Sequence, residues 1–160
     1  MYDMIELFYF AYRDFVGDAD RLLEAYGFGR AHHRVLHFVS RHPGLTIAEL
    51  LDILAITKQS LNRVLKELVA QDFIEARAGA QDRRQRRLFA TRKGGDLALR
   101  LARAQTRRFA AAMRALGGDA RGDAAAFLLE MIDREARERI LALIAAPSPE
   151  AEAAEAGAPA

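Results

Sequence analysis

Cysteine is absent from this 160-residue chain. That excludes disulfides, thiolate nucleophiles, cysteine-ligated zinc and peroxide sensing through a thiol. Long apolar runs are missing too, and none approaches the roughly 20 residues of a membrane span. The opening MYDMIELFYF has no positive n-region, so no secretory signal is expected and the cytoplasm is the expected compartment. There is no glycine-rich phosphate loop and no paired-carboxylate motif. Ser60, His33 and His37 stand in no context where a base would activate a nucleophile, so an enzyme is not expected.

Apolar residues make up 51% of the chain and charged residues 29%, the balance of an ordinary globular domain with a core of its own. The formal net charge is only +2, but it is unevenly placed. Residues 1–44 carry net −1, residues 45–56 net −2 and residues 95–160 net −1. Residues 57–94 carry 10 Lys/Arg against 4 Asp/Glu, net +6. A positive charge concentrated in one segment is the footprint expected of a polyanion partner, although a solvated basic face would look the same by charge alone.

Ile5, Phe8, Tyr9, Tyr12 and Phe15 recur at helical spacing, which predicts a first helix over 3–16 that continues through ADRLLEAYG. A second helix is expected over 31–42, stopped by Pro43 and Gly44. TIAELLDIL (46–54) opens with a capping box: Thr46 accepts the Glu49 backbone N–H and Glu49 reaches back to that of Thr46. After Ala55-Ile56, TKQSLNRVLKELVAQ (57–71) reads as a helix with Thr57 as N-cap and a buried stripe of Leu61, Val64, Leu65 and Leu68. Two short helices about a tight turn make a helix-turn-helix. FIEAR (73–77) and RRLFAT (86–91) read as strands joined by a long basic loop. A long helix over 93–116, a break at 117–123 and a last helix over about 123–145 follow. The tail from 146 to 160 has little to bury and is expected to be disordered. The fold class is therefore mainly α with a small β-hairpin wing, a winged helix-turn-helix.

With that stripe buried, the fourth helix must expose Lys58, Gln59, Ser60, Asn62, Arg63 and Lys66 beside its cap Thr57. Gln, Asn, Ser and Arg suit base edges in a major groove, and Ser, Lys and helix N-terminal amides suit phosphates. The hairpin loop adds DRRQRR (82–87), four arginines in six residues. Held on a hairpin, such a loop suits a minor groove, where narrow tracts concentrate negative potential. Arg83 and Arg84, nearest the tip, are the groove candidates, with Asp82 fixing the loop's shape. Arg86 and Arg87 alternate in face, so at most one is expected to meet phosphate, and Arg86 is the one retained. Arg77 ends the first strand, to pair with Asp82 or to contact the DNA backbone.

Residues 45–94 resemble the winged helix-turn-helix of the MarR family of bacterial transcriptional regulators. DRRQRRLFATRKG (82–94) carries the most specific part: Asp82 and Arg84 as Asp-x-Arg, Thr91 closing a strand, and Gly94 opening the next helix. The helix layout extends the resemblance over about 1–145. Two positions depart from it. The turn between the two helices commonly carries glycine where Ala55 stands, and glycine is also frequent before the first wing strand, where Asp72 stands. Ala55 must then accept a strained φ, or the turn must differ.

The resemblance implies a sequence-specific regulator of double-stranded DNA acting as a homodimer on a pseudo-palindrome. The dimer would be held by N- and C-terminal helices (1–30 and 96–145) about a DNA-binding lobe (31–95). Recognition helix 57–71 would enter the major groove and wing 78–87 the minor groove. The very apolar first helix agrees with a dimer, since 9 of the 13 aromatics lie in residues 1–38. The resemblance also implies modulation by a small aromatic or anionic effector, with Tyr12, Arg13, His33, Arg34 and His37 as its polar contacts. No cofactor and no metal is expected: His33 and His37 share a helix face, but a zinc site needs three or four ligands. The alternative is a winged-helix module whose wing binds an acidic protein partner. Against it, such a face would be expected to expose apolar anchors rather than Gln, Ser, Asn and Arg.

Overall fold

The computed structural model describes residues 2–79 and 85–146. These fall into two compact units that divide between Thr106 and Arg107.

In the first unit, α1 (Tyr2–Leu23) buries only its C-terminal part, through Val16, Ala19 and Leu23. A 3-10 turn, Glu24–Tyr26, leads into α2 (Arg30–Arg41), which turns Val35, Leu36 and Val39 inward. Then come a two-residue strand β1 (Leu45–Thr46), α3 (Ile47–Leu54) and α4 (Lys58–Ala70). Strands β2 (Ile74–Ala78) and β3 (Arg86–Ala90) follow, and α5 (Arg92–Leu116) runs on through the division. The sheet is antiparallel in the order β1-β3-β2, with Leu45 opposite Leu88 and Ala76 opposite Leu88 on its other side. β3 thus lies between two partners, where the hairpin reading expected one. A two-residue strand leaves no alternating pattern in a sequence, so β1 had no signal there.

The core gathers where α2, α4 and the sheet meet. Leu36, Leu50, Leu61, Leu68, Leu88 and Leu101 are all fully buried or within 1% of it. Each such leucine contributes about 1.5–3 kcal/mol through burial. Phe73 sits beneath Tyr26 and Phe28, edge to face with each at 5.4 and 5.1 Å. Its carbonyl accepts the Thr91 backbone N–H at 3.1 Å. The Thr91 hydroxyl donates to the Asp72 carbonyl at 2.7 Å and accepts the Gly94 N–H at 3.0 Å. That knot brings the first turn of α5 against the α4–β2 corner so closely that a Cβ on Gly94 would lie 2.0 Å from the Phe73 oxygen. Gly94 is required for this close approach.

The two positions that depart from the family's glycines are the two non-glycine residues with positive φ among the described residues: Ala55 at 50° and Asp72 at 61°. The turn keeps its left-handed geometry, and the alanine adopts it.

In the second unit, α6 (Ala120–Glu130) and α7 (Arg134–Ala145) replace the single helix expected over 123–145. Arg137 accounts for the corner. Its guanidinium donates to the carbonyls of Ile132 and Glu130, each at 2.9 Å, satisfying acceptors that a continuous helix would have used itself. It also pairs with both carboxylate oxygens of Glu130, at 3.0 and 2.9 Å. Phe127, Leu128, Met131, Leu141 and Ile144 are exposed on this unit, as are Tyr2, Ile5, Leu7, Phe8 and Tyr9 on α1 of the first.

Candidate nucleic-acid interface

The helix-turn-helix is locked at both starts. At α3, Thr46 Oγ1 accepts the Glu49 N–H at 3.2 Å, and Glu49 Oε2 accepts from the Thr46 N–H and hydroxyl at 2.8 Å each. These bonds, with Arg87 nearby, hold the Glu49 carboxyl below its ordinary range. At α4, Thr57 Oγ1 accepts the Ser60 N–H at 3.2 Å, and its hydroxyl donates to Ser60 Oγ at 3.0 Å. Leu61, Val64, Leu65 and Leu68 are the buried residues of α4, the four its periodicity marks. Thr57, Lys58, Gln59, Ser60, Asn62, Arg63 and Lys66 are all exposed. One continuous polar face results. Within it the hydroxyls of Thr57 and Ser60 are engaged in the cap, which leaves Lys58, Gln59, Asn62, Arg63 and Lys66 as the longer side chains able to reach outward.

A cross-link that sequence reasoning missed steadies α4. His32 Nδ1 accepts the Gly29 N–H at 3.1 Å, and Nε2 meets Glu67 Oε2 at 2.6 Å. With Nδ1 an acceptor, Nε2 carries the proton and donates to the carboxylate. The N-terminus of α2 is thereby tied to α4. Partners 35 residues apart leave no local pattern to read.

Asp82, Arg83 and Arg84 lie outside the described residues. At the base of the wing, Arg86 and Arg87 alternate in face. Arg86 Nη1 is 3.5 Å from the Ala76 carbonyl, while Arg87 Nη1 donates to the Gly44 carbonyl at 3.1 Å. Arg77 is ion-paired with Glu75, and its guanidinium lies 4.5 Å from the centre of the Phe89 ring. Glu75 as its partner had no sequence signal beyond the i, i+2 spacing that puts both on one strand face.

The five residues expected to meet an effector are scattered in exposure. Tyr12 is exposed; Arg13 pairs with Asp14 at 2.9 Å and lies 4.8 Å from the Phe10 ring centre. Arg34 and His37 are exposed, and His33 is buried. Burial depresses the His33 pKa, His37 and Arg34 add to this, and Asp20 opposes it. A cleft of about 450 Å³ lies elsewhere, lined by Tyr26, Asp72, Phe73, Thr91, Arg92, Lys93, Asp96, Leu97 and Arg100. None of the five lines it.

A capped helix-turn-helix followed by a β2–β3 wing, which β1 extends to a three-stranded sheet, defines a winged-helix domain. The sequence profile of the MarR family matches residues 26–85. Over 116 residues the chain is 49% identical to the HTH-type transcriptional regulator PetP of Rhodobacter capsulatus, covering 72% of this chain and 70% of that protein. The chain belongs to the MarR family. Solved structures agree on the fold. A MarR transcriptional regulator from Methanosarcina mazei superposes with a TM-score of 0.66 at 21% identity, over 80% of this chain and 86% of the other. A mutant MarR from E. coli, crystallised with operator DNA, superposes with a TM-score of 0.65 at 17% identity, over 82% and 94%. The protein is a MarR-family transcriptional regulator with a winged-helix fold. Among the described residues no helix is long and apolar enough to cross a membrane.

Proposed function

We propose that the protein regulates transcription in the cytoplasm as a homodimer bound to a pseudo-palindromic operator in double-stranded DNA. The observation that carries this reading is the exposed face of α4, where Lys58, Gln59, Asn62, Arg63 and Lys66 stand opposite a buried stripe. Long donors on a rigid, capped helix are what base-edge and phosphate contacts need. In this reading Arg83 and Arg84 enter the minor groove, Asp82 shapes the loop, and Arg77 and Arg86 contact the backbone. The exposed apolar residues of α1, and separately of α6 and α7, favour burial against a second copy, because patches of that kind mark interaction surfaces. A two-fold dimer would set its recognition helices about one DNA turn apart. The segments 1–30 and 96–145 would form the dimer lobe and 31–95 the DNA lobe; the tail beyond 146 lies outside the described residues. A small aromatic or anionic effector meeting Tyr12, Arg13, His33, Arg34 and His37 would act by changing the spacing of the two DNA lobes. This assigns the protein no catalytic role.

Fluorescence anisotropy with the DNA upstream of the protein's own gene, against a scrambled duplex and across a salt series, tests the reading. Tight, salt-sensitive and selective binding is expected. Binding to neither duplex by a folded dimer would overturn it in favour of an acidic protein partner for the wing.

A further inference from the structure

The outer face of the β2–β3 ribbon brings together four side chains. Alternation along the strands turns Ile74 and Leu88 into the core, each 1% exposed, and sets Glu75, Arg77, Arg87 and Phe89 on the other face. The register places Glu75 opposite Phe89 and Arg77 opposite Arg87. Two like charges directly across a pair of strands repel, and the two guanidiniums are drawn apart. Arg87 reaches the Gly44 carbonyl, a neutral acceptor that leaves its charge intact. Arg77 turns back onto the Glu75 carboxylate, which neutralises it, and lies over the Phe89 ring.

The Glu75–Arg77 pair stays open to solvent, its side chains 45% and 59% exposed. An ion pair this exposed contributes little to stability, so another anion can displace the carboxylate. The aromatic ring makes that exchange orderly. A guanidinium can stack on a ring while its N–H groups point outward in its own plane, so the ring holds the cation in place as its anion changes.

We propose that Glu75 is an internal stand-in for a DNA phosphate, occupying Arg77 in the unbound protein and yielding it only where a duplex sets a phosphate in its place. The proposal rests on the DNA-binding reading above. An operator held in fixed register completes the exchange. A random duplex, loosely docked, leaves Arg77 on Glu75 and gains nothing from it. The operator complex gives up the ion pair to make this contact, whereas a random duplex keeps it, so Glu75 lowers operator affinity by the strength of the pair and lowers non-specific affinity by no more than that.

The test is anisotropy over a salt series with wild type, Glu75→Gln, Arg77→Gln and the double variant, on operator and scrambled duplexes. Each further phosphate that a protomer neutralises steepens the salt dependence by about 0.9 in log–log slope. Glu75→Gln is expected to steepen the scrambled-duplex slope by that amount per protomer and leave the operator slope unchanged, while tightening operator binding up to about 5-fold per protomer and scrambled-duplex binding by no more than that. In the Arg77→Gln background Glu75→Gln is expected to do almost nothing. Equal tightening in that background would reduce Glu75 to a bare negative charge near DNA and overturn the proposal, as would an unchanged scrambled-duplex slope in the single variant. A wild-type protein that binds neither duplex defeats the functional reading as well. A selective wild type with an inert Glu75→Gln defeats this inference alone. Both positions face away from the core, and Glu75→Thr, a better strand former, repeats the experiment if the glutamine variant melts early.

Discussion

Ala55 offers a direct measurement of backbone strain in the helix-turn-helix. It ends α3 with φ 50° and ψ 43°, and its N–H donates to the Leu51 carbonyl at 2.9 Å. The left-handed conformation costs an L-residue with a Cβ about 1–2 kcal/mol. Glycine removes that penalty but loses about 0.5–1 kcal/mol more conformational entropy on folding than alanine does. Ala55→Gly should therefore stabilise the protein by about 0.5–1 kcal/mol net. For a chain of this length that is a rise in Tm of roughly 1–4 °C. The Ala55 side chain is exposed, so no packing is lost with its methyl group. Ala102→Gly within α5 is the control, since an alanine already in helical φ loses about 1 kcal/mol on the same change. Asp72, at φ 61°, should gain less from glycine, because aspartate tolerates this region through local hydrogen bonds. The assay is thermal and urea unfolding followed by circular dichroism. A drop in Tm for Ala55→Gly comparable to that of Ala102→Gly would refute the strain argument.

Gly94→Ala should be severe. A Cβ 2.0 Å from the Phe73 oxygen forces α5 away from the α4–β2 corner and breaks the Thr91 knot, for a loss of about 3–5 kcal/mol. A Tm within 2–3 °C of wild type would show that the corner yields freely, against the roughly 10 °C fall expected. Stability should also fall on mild acidification. Burial lowers the pKa of His33 and of half-buried His42 below their ordinary value of 6.5. As pH drops through that value the unfolded chain takes up protons that the folded chain refuses, so stability present above pH 6.5 is lost towards lower pH. Melts at pH 7.5, 6.5 and 5.5 should show a declining Tm, with His33→Gln flattening the decline; a Tm rising towards pH 5.5 contradicts it. Arg63→Ala should cost about 1–3 kcal/mol on operator and much less on scrambled DNA, lowering the ratio measured by anisotropy. An unchanged ratio removes Arg63 from base reading.

Local chemistry was legible in the sequence wherever the determining residues are close in the chain. The Thr46–Glu49 capping box, the Thr57 cap and the Leu61/Val64/Leu65/Leu68 stripe all follow from spacings within one or two turns of helix. The exposed face of α4 follows from that stripe, because a helix that buries one side must show the other. The concentration of positive charge in 57–94 is likewise a property of the sequence itself.

Tertiary structure decided what depends on partners far apart in the chain. β1 exists because β3 pairs with it across about forty residues, and Arg87 reaches the Gly44 carbonyl over the same distance. The His32–Glu67 tie and the contact of Gly94 with the Phe73 carbonyl are of the same kind. The division of the last helix followed from Arg137 capturing two carbonyls, a competition between side chain and backbone that periodicity does not register. Spacing along the chain dictates which faces are apolar and which residues cap. Which charge neutralises which, as with Glu75 on Arg77, depends on where the packed core leaves the outer face of the sheet.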